Sequence, residues 1–317
     1  MSSPEPQNNI DTLAAIYKAV ADPIRLNILK VLQRNSFGVL ELCKILDHKQ
    51  SALSHHLKVL SNSGLLETRR EGNSIFYRRG NAAEEIQANI FASADALNLD
   101  QVTTIRLNAA LETRQNLARQ FFDKVDSQFN EHQERIADSS TYNQATLTLL
   151  DGYHNDKFQQ SVLEIGPGEG ALLNQLTSRF KNVCAVDISS EMLSRAKENT
   201  QNSSIRFVQG DINHSAFTDE HFDSIVTAMV LHHIPAPATL FQQMANKLKP
   251  GGTVTVTDLC PHDQQWAQSL CGDLWMGFDS KEMEDWASNA GLIENNSMYL
   301  AQKNGFQIQA RQFLKPL

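Results

Sequence analysis

Apolar residues return every three or four positions from Leu13 to about Ala94, and this spacing predicts a run of short amphipathic helices. The first carries Leu13, Ile16, Tyr17 and Val20. Asp22-Pro23 follows, an N-cap residue before a proline suited to the first helical position, so a second helix begins there and runs through Ile24, Ile28, Leu29 and Leu32. A third covers Val39 to Leu46. Beyond the polar break Asp47-His48-Lys49-Gln50, Leu53, Leu57 and Leu60 fall on one stripe of a fourth helix, which Asn62-Ser63-Gly64 stops. The period then changes. Leu65 to Arg70 and Ser74 to Arg78 are short β-prone runs around Glu71-Gly72-Asn73, a hairpin composition, and a further helix is expected from Ala82 to about Leu97.

The second half has a different rhythm. Residues 98–145 are polar helical material with the apolar anchors Phe121, Phe122, Val125 and Phe129, and are expected to form a helical connector. From Ser161 onward strand-like runs at 161–165, 182–187, 204–208, 222–228 and 252–259 alternate with helical stretches at 170–179, 190–198 and 237–248. Such alternation implies a parallel sheet covered on both faces. The runs 296–301 and 305–313, joined through Lys303-Asn304-Gly305, close it as an antiparallel hairpin. Three segments result: a small helical and hairpin domain at 12–97, the connector at 98–145 and an α/β domain at 146–317. Residues 1–11 are polar and read as a tail.

Charge separates the two domains. Residues 1–82 hold eleven Lys and Arg against seven Asp and Glu, a net of +4, whereas 83–317 carry −12 of the total of −8. An acidic chain does not coat nucleic acid wholesale, but a basic module on it binds phosphate locally. No apolar run reaches the ~18 residues of a membrane span, and the start has no basic cluster followed by an apolar stretch, so no membrane association and a cytoplasmic location are expected. Cys43, Cys184, Cys260 and Cys271 lie far apart, favouring reduced thiols over a disulfide frame or metal knuckle.

The chemistry concentrates at Val162-Leu163-Glu164-Ile165-Gly166-Pro167-Gly168-Glu169-Gly170, a strand running into a glycine-rich turn that opens a helix. Glycines let a ligand approach the backbone where a Cβ would collide. With Ala171 the loop also fits the dinucleotide fingerprint, and Asp187 stands 21 residues after Gly166, where a ribose-binding acid belongs. Against a nicotinamide dinucleotide stands Glu164, a carboxylate suited to an ammonium group and repulsive to a pyrophosphate. Gly210-Asp211 adds a second acid after the third strand, and Lys249-Pro250-Gly251-Gly252 turns a helix into the fifth strand.

In that order of motifs the chain resembles the class I S-adenosylmethionine-dependent methyltransferases over roughly residues 140–317, with the Rossmann-like α/β fold of that family. The resemblance implies that Glu164, Gly166, Gly168 and Gly170 line the methionine moiety of S-adenosylmethionine, that Asp187 takes the ribose hydroxyls, that Ile188 and Met192 flank adenine, and that Asp211 and Ile212 read its edge. Ile188 and Met192 serve equally well as core, and Asp211 as a turn residue. The segment Leu231-His232-His233-Ile234-Pro235 leaves the fourth strand where a methyl acceptor would sit, so His232 or His233 is the candidate base; in the family this stretch is often structural. No Asn/Asp-Pro-Pro-Tyr motif marks amino-methylation of DNA bases. Trp266 and the run Gly272–Phe278 form an aromatic insertion that either roofs the acceptor or braces itself.

Helices, a basic hairpin and a further helix are the order of a winged helix-turn-helix, and the first 95 residues resemble the ArsR family of repressors through Ala21-Asp22-Pro23-Ile24-Arg25, Leu42-Cys43, the stretch Ser54 to Leu65 and Arg69-Arg70-Glu71-Gly72. The face of the fourth helix opposite its leucine stripe shows Gln50, Ser51, Ser54, His55 and Lys58, groups suited to base edges and phosphates of double-stranded DNA. Arg69, Arg70, Arg78 and Arg79 would add phosphate contacts, the alternative being a merely solvated basic face. His56 lies nearer the apolar stripe. The family often senses metals through a thiolate pair in the third helix; Cys43 stands alone, so no metal is expected and sensing would pass to the larger domain. Family members dimerise through their first and last helices, here about 12–20 and 83–97. Two functions follow: a regulator that also methylates an unidentified acceptor, or a regulator whose methyltransferase fold senses S-adenosylmethionine or S-adenosylhomocysteine without turnover.

Overall fold

The computed structural model describes residues 10–72, 74–80, 85–124, 128–153, 160–200, 204–218 and 221–317. Residues 1–9 of the tail expected at 1–11, Asn73 of the hairpin turn, the start of the helix at Ala82, the anchor Val125 and the side chain of Phe129 lie outside the described residues, while Ile10 and Asp11 open a helix instead. The chain divides into two compact units, Met1–Thr113 and Arg114–Leu317.

The first unit contains α1 (Ile10–Val20), α2 (Pro23–Val31), β1 (Phe37–Gly38), α3 (Val39–Leu46), α4 (Gln50–Asn62), β2 (Leu66–Glu71), β3 (Ser74–Arg79), α5 (Glu85–Asp95) and the beginning of α6 (Gln101–Phe122). Asp22 caps α2, accepting from the backbone N–H groups of Ile24 (2.9 Å) and Arg25 (3.1 Å). The left-handed Asp47 ends α3 and turns the chain into α4. Leu53, Leu57 and Leu60 bury completely into a core shared with Ile28, Leu29, Leu42 and Ile45. β2 and β3 pair antiparallel, and β1, too short to show in the sequence pattern, adds a third strand beside β3.

The second unit adds α7 (Gln128–Ile136), α8 (Ser139–Gly152), β4 (Ser161–Ile165), α9 (Leu173–Leu176), β5 (Asn182–Asp187), α10 (Ser190–Asn199), β6 (Arg206–Gln209), β7 (Phe222–Ala228), α11 (Pro237–Lys247), β8 (Leu248–Leu259), α12 (Trp266–Cys271), α13 (Ser280–Asn289), β9 (Ile293–Ala301) and β10 (Gln307–Leu314). Its seven strands lie in the order β6-β5-β4-β7-β8-β10-β9. The first five are parallel, and β10 runs antiparallel between β8 and β9. Every residue of β7 except Ala228 is buried, as a strand covered on both faces requires. The chain builds outward from β4 to β5 and β6, then returns to the other side with β7, so the reversal falls between the carboxyl ends of β4 and β7. Open α/β sheets bind ligands at that point.

Two expectations change. The helix expected over 170–179 cannot begin at Gly170, whose φ is a left-handed +83°, and is regular only over the single turn of α9. The segment 98–145 is helical but does not stand apart: residues 98–113 belong to the first unit, where Leu107, Ala110 and Leu111 pack on its core, and 114–145 to the second, where Phe121 and Phe122 pack beside Met192 and Met229.

Candidate functional site

β4 carries Glu164 into the interior at its carboxyl end, and the following loop takes three left-handed glycines, Gly166, Gly168 and Gly170. The Gly166 N–H donates to the Val186 carbonyl (2.9 Å), tying the loop to β5. A Cβ at Gly166 would sit 2.5 Å from a Val230 methyl, whereas one at Gly168 would meet nothing within 4 Å. Gly168 therefore borders open space.

The buried acids of this sheet differ by end. At the amino end of β7, Asp223 accepts from the Ser161 N–H (2.8 Å) and hydroxyl (2.7 Å) and from Lys249 Nζ (3.0 Å). At the carboxyl end of β4, Glu164 Oε2 is buried with no hydrogen-bond partner. Burial pushes the Glu164 carboxyl up to about 8, and its charge in turn helps burial hold the nearby Tyr142 phenol at about 12. An unmatched acceptor in this position suits a cationic ligand group.

Asp187 ends β5. Its carboxylate accepts from the Ser189 N–H (2.8 Å), yet burial, with Asp123 close by, raises it to about 6. Ser189 donates its hydroxyl to Asp123 (2.7 Å) and accepts from the Met192 N–H (3.2 Å), capping α10. Asp123, one residue beyond α6, is a neighbour that no motif announces. Ile188 is half-buried and Met192 buried against Ile136 and Met229, so Met192 belongs to the core. Asp211 is exposed and accepts from the Asn213 N–H (2.8 Å) as a turn residue, while Ile212 is buried.

His232 and His233 follow β7 on a single helical turn, Leu231–His233, and both are buried. His232 Nδ1 lies 2.8 Å from Asp258 Oδ1 at the end of β8, and its Nε2 3.7 Å from Asp273 Oδ1. Burial opposes its charging, but Asp258 and Asp273 outweigh that and hold it at about 9, so it is not a base at neutral pH. His233 Nδ1 lies 3.2 Å from the Gly272 carbonyl, and burial and His232 keep this ring neutral. Asp258, which sequence reasoning missed, binds three partners at once: His232, the Leu231 N–H and the Leu259 N–H, each at 2.8 Å. The only signal for it was an acid closing an apolar strand. Trp275, Met276 and Phe278 of the aromatic insertion are buried, and Trp275 Nε1 donates to the Ile234 carbonyl (2.8 Å).

In the first unit α4 exposes Gln50, Ser51, Ser54, His55 and Lys58 together. His56 is half-buried, 3.8 Å from Asp22. On the hairpin Arg70 is exposed, whereas Arg69 pairs with the buried Glu71 and Arg78 with Glu67 (3.2 Å). Arg79 is a correction: its guanidinium grips both oxygens of Asp95 (3.0 and 2.6 Å) and the Leu29 carbonyl (2.8 Å), pinning β3 to α5 and α2. Accordingly Arg79→Ala lowers the unfolding free energy of this unit by about 1–3 kcal/mol, while Arg70→Ala leaves it unchanged. Denaturant melts measure the difference.

Residues 163–256 match the family described as "Methyltransferase domain", and residues 22–68 match "Bacterial regulatory protein, arsR family". The chain is 36% identical over 97 residues to an uncharacterized methyltransferase of Mycobacterium tuberculosis, covering 31% of this chain and 49% of the relative. It is 26% identical over 118 residues to the ubiquinone biosynthesis O-methyltransferase of Yersinia pestis, covering 36% and 49%. The chain thus spans about half the length of the curated relatives it matches. Among solved structures, the complex between the Haloferax volcanii Trm112 methyltransferase activator and the putative methyltransferase matches with a TM-score of 0.52 at 17% identity, over 63% of this chain and 98% of that one, a likeness of fold. No helix among the described residues is long and apolar enough to cross a membrane.

Proposed function

We propose that this chain, which joins an arsR-family regulatory module to a methyltransferase domain, binds double-stranded DNA through the first and S-adenosylmethionine through the second, whose methyl group it transfers to an acceptor. The observation that carries the reading is the unmatched Oε2 of Glu164 at the head of the loop that holds the open backbone of Gly168. Glu164 accepts from the ammonium of the methionine moiety, the Gly166–Gly170 loop approaches it without side chains, and Asp187 accepts from the ribose hydroxyls. Ile188 lies against the adenine; Asp211, already engaged by its own turn, contributes its exposed second oxygen at the adenine edge with Ile212 behind it. The sulfonium supplies an activated methyl group, so the protein aligns a nucleophile and excludes water.

The DNA face is α4, with Gln50, Ser51, Ser54, His55 and Lys58 toward the major groove, and Arg70 as the hairpin's phosphate contact, assisted by Arg69 and Arg78 once their acidic partners release them. α1 exposes Ile10, Leu13 and Tyr17 at helical spacing, a face that a second copy would cover to make a homodimer.

A specific observation favours the second reading, a sensor without turnover. The place where an acceptor would meet β7 is occupied by the chain's own buried His232, His233 and Trp275. One experiment separates the two. The full chain is incubated with S-adenosylmethionine carrying a labelled methyl group, and affinity for a selected DNA duplex is measured with that compound, with S-adenosylhomocysteine and with neither. Both readings expect uptake of one nucleoside per chain, weakened about 1–3 kcal/mol by Asp187→Ala. Equal DNA affinities with label consumption support the enzyme; unequal affinities without consumption support the sensor; no uptake removes both.

A further inference from the structure

We infer that His232, His233 and Asp273 form a site for a divalent transition-metal ion of the zinc class, buried where β7 and β8 end. Each offers a ligand atom, and the three lie within 4.8 Å of one another with all three residues buried. Asp273 Oδ1 is 3.7 Å from His232 Nε2 and 4.0 Å from His233 Nδ1. Donors that share a tetrahedral ion at about 2.0–2.2 Å stand about 3.3–3.5 Å apart. The closest pair therefore needs to contract by about 0.2–0.4 Å and the widest, within 4.8 Å, by about 1.3–1.5 Å at most, while 3.7 Å is too long for a direct hydrogen bond.

The surroundings orient these donors as a metal site requires. Asp258, fixed by the Leu231 and Leu259 N–H groups, accepts from His232 Nδ1–H and so aims at Asp273 the Nε2, which gives up its proton when the ion binds. That is the carboxylate–histidine arrangement that sets the tautomer of a ligating imidazole. The loop bearing Asp273 is clamped to the same histidine, because the Leu274 and Trp275 N–H groups both donate to the His232 carbonyl at 3.0 Å. Gly272 makes the turn with a φ of +76°, and a Cβ there would lie 2.6 Å from the Phe121 ring. Its carbonyl accepts from His233 Nδ1 (3.2 Å), which fixes the tautomer and leaves Nε2 as the nitrogen with a free lone pair. His233 Nε2 is buried without a hydrogen-bond partner, an acceptor that an ion would satisfy.

Two imidazoles and a carboxylate select zinc, cobalt, iron or manganese over magnesium and calcium, which prefer oxygen alone. A divalent ion also balances two carboxylates, Asp258 and Asp273, buried beside two imidazoles. The cluster shares no residue with the nucleoside crevice, but His232 and His233 are also the residues that stand where an acceptor would meet β7, so ion binding is read without reference to methyl transfer.

The test titrates the metal-free full chain with Co2+, read by its visible absorption, and then displaces the cobalt with Zn2+. Saturation at one ion per chain is expected, with affinity at least a hundredfold lower in both Asp273→Asn and His233→Gln. Asp258→Asn, which acts through His232, keeps the stoichiometry but weakens binding about 10–100-fold. Circular dichroism and thermal midpoints establish that each variant is folded, and His233→Gln serves where Asp273→Asn is not. Absence of saturable binding, an affinity unchanged in the folded variants, or a thiolate-to-cobalt absorption band would overturn the assignment.

Discussion

Glu164→Gln abolishes the proton release that accompanies binding of S-adenosylmethionine at pH 7 and lowers the affinity at pH 8 at least tenfold. The free carboxyl, held at about 8 by burial, is largely protonated at pH 7; accepting from an ammonium group requires it to ionise, and close to one proton leaves. Affinity of the parent protein consequently rises between pH 6 and 8, whereas that of the variant stays flat. Calorimetry in two buffers of different ionisation enthalpy reads both quantities, and equal proton release by the two proteins would contradict the role. Stability of the ligand-free protein moves the opposite way. A carboxyl raised from 4.5 to about 8 contributes stability fully present below 4.5 and lost as pH climbs through 8, a loss on the order of a few kcal/mol, with Asp187 adding a smaller loss between 3.8 and about 6. The thermal midpoint should fall across that window, and less steeply in Glu164→Gln.

Gly168→Ala should separate folding from binding. Its φ of +54° makes an alanine there cost about 1–2 kcal/mol, but no atom lies within 4 Å of the new methyl, so the fold tolerates it. The methyl does fill the open space that a nucleoside would approach, and uptake should fall at least a hundredfold. Gly166→Ala behaves otherwise: its methyl meets Val230 at 2.5 and 2.9 Å, and stability falls together with binding. Should folded Gly168→Ala retain its affinity, the loop does not hold the ligand.

Features legible in the sequence were those with a local period. The leucine stripe of α4, the cap at Asp22-Pro23 and the alternation of strands and helices from β4 to β8 each announce themselves within a dozen residues, and the glycine loop with its flanking acids does so by composition. Contacts between distant segments gave no such sign. Arg79 reads like Arg78 beside it, yet Asp95, sixteen residues later, makes it a structural pin. Asp123 and Ser189 are 66 residues apart, and Asp258 is 26 from the histidine it holds. β1 escaped because two residues have no period, and the late start of α9 follows the left-handed backbone of Gly170 rather than the hydrophobic pattern.

The position of β10 shapes how the protein is made. This strand bridges β8 and β9, and among the described residues β9 pairs with no other strand. During translation the helices and hairpin of the first unit, whose contacts are close in sequence, can assemble soon after emerging. The larger sheet must wait with the flank of β8 uncovered until Gln307–Leu314 leaves the ribosome, which makes that nascent edge the stage at which a chaperone would be most needed.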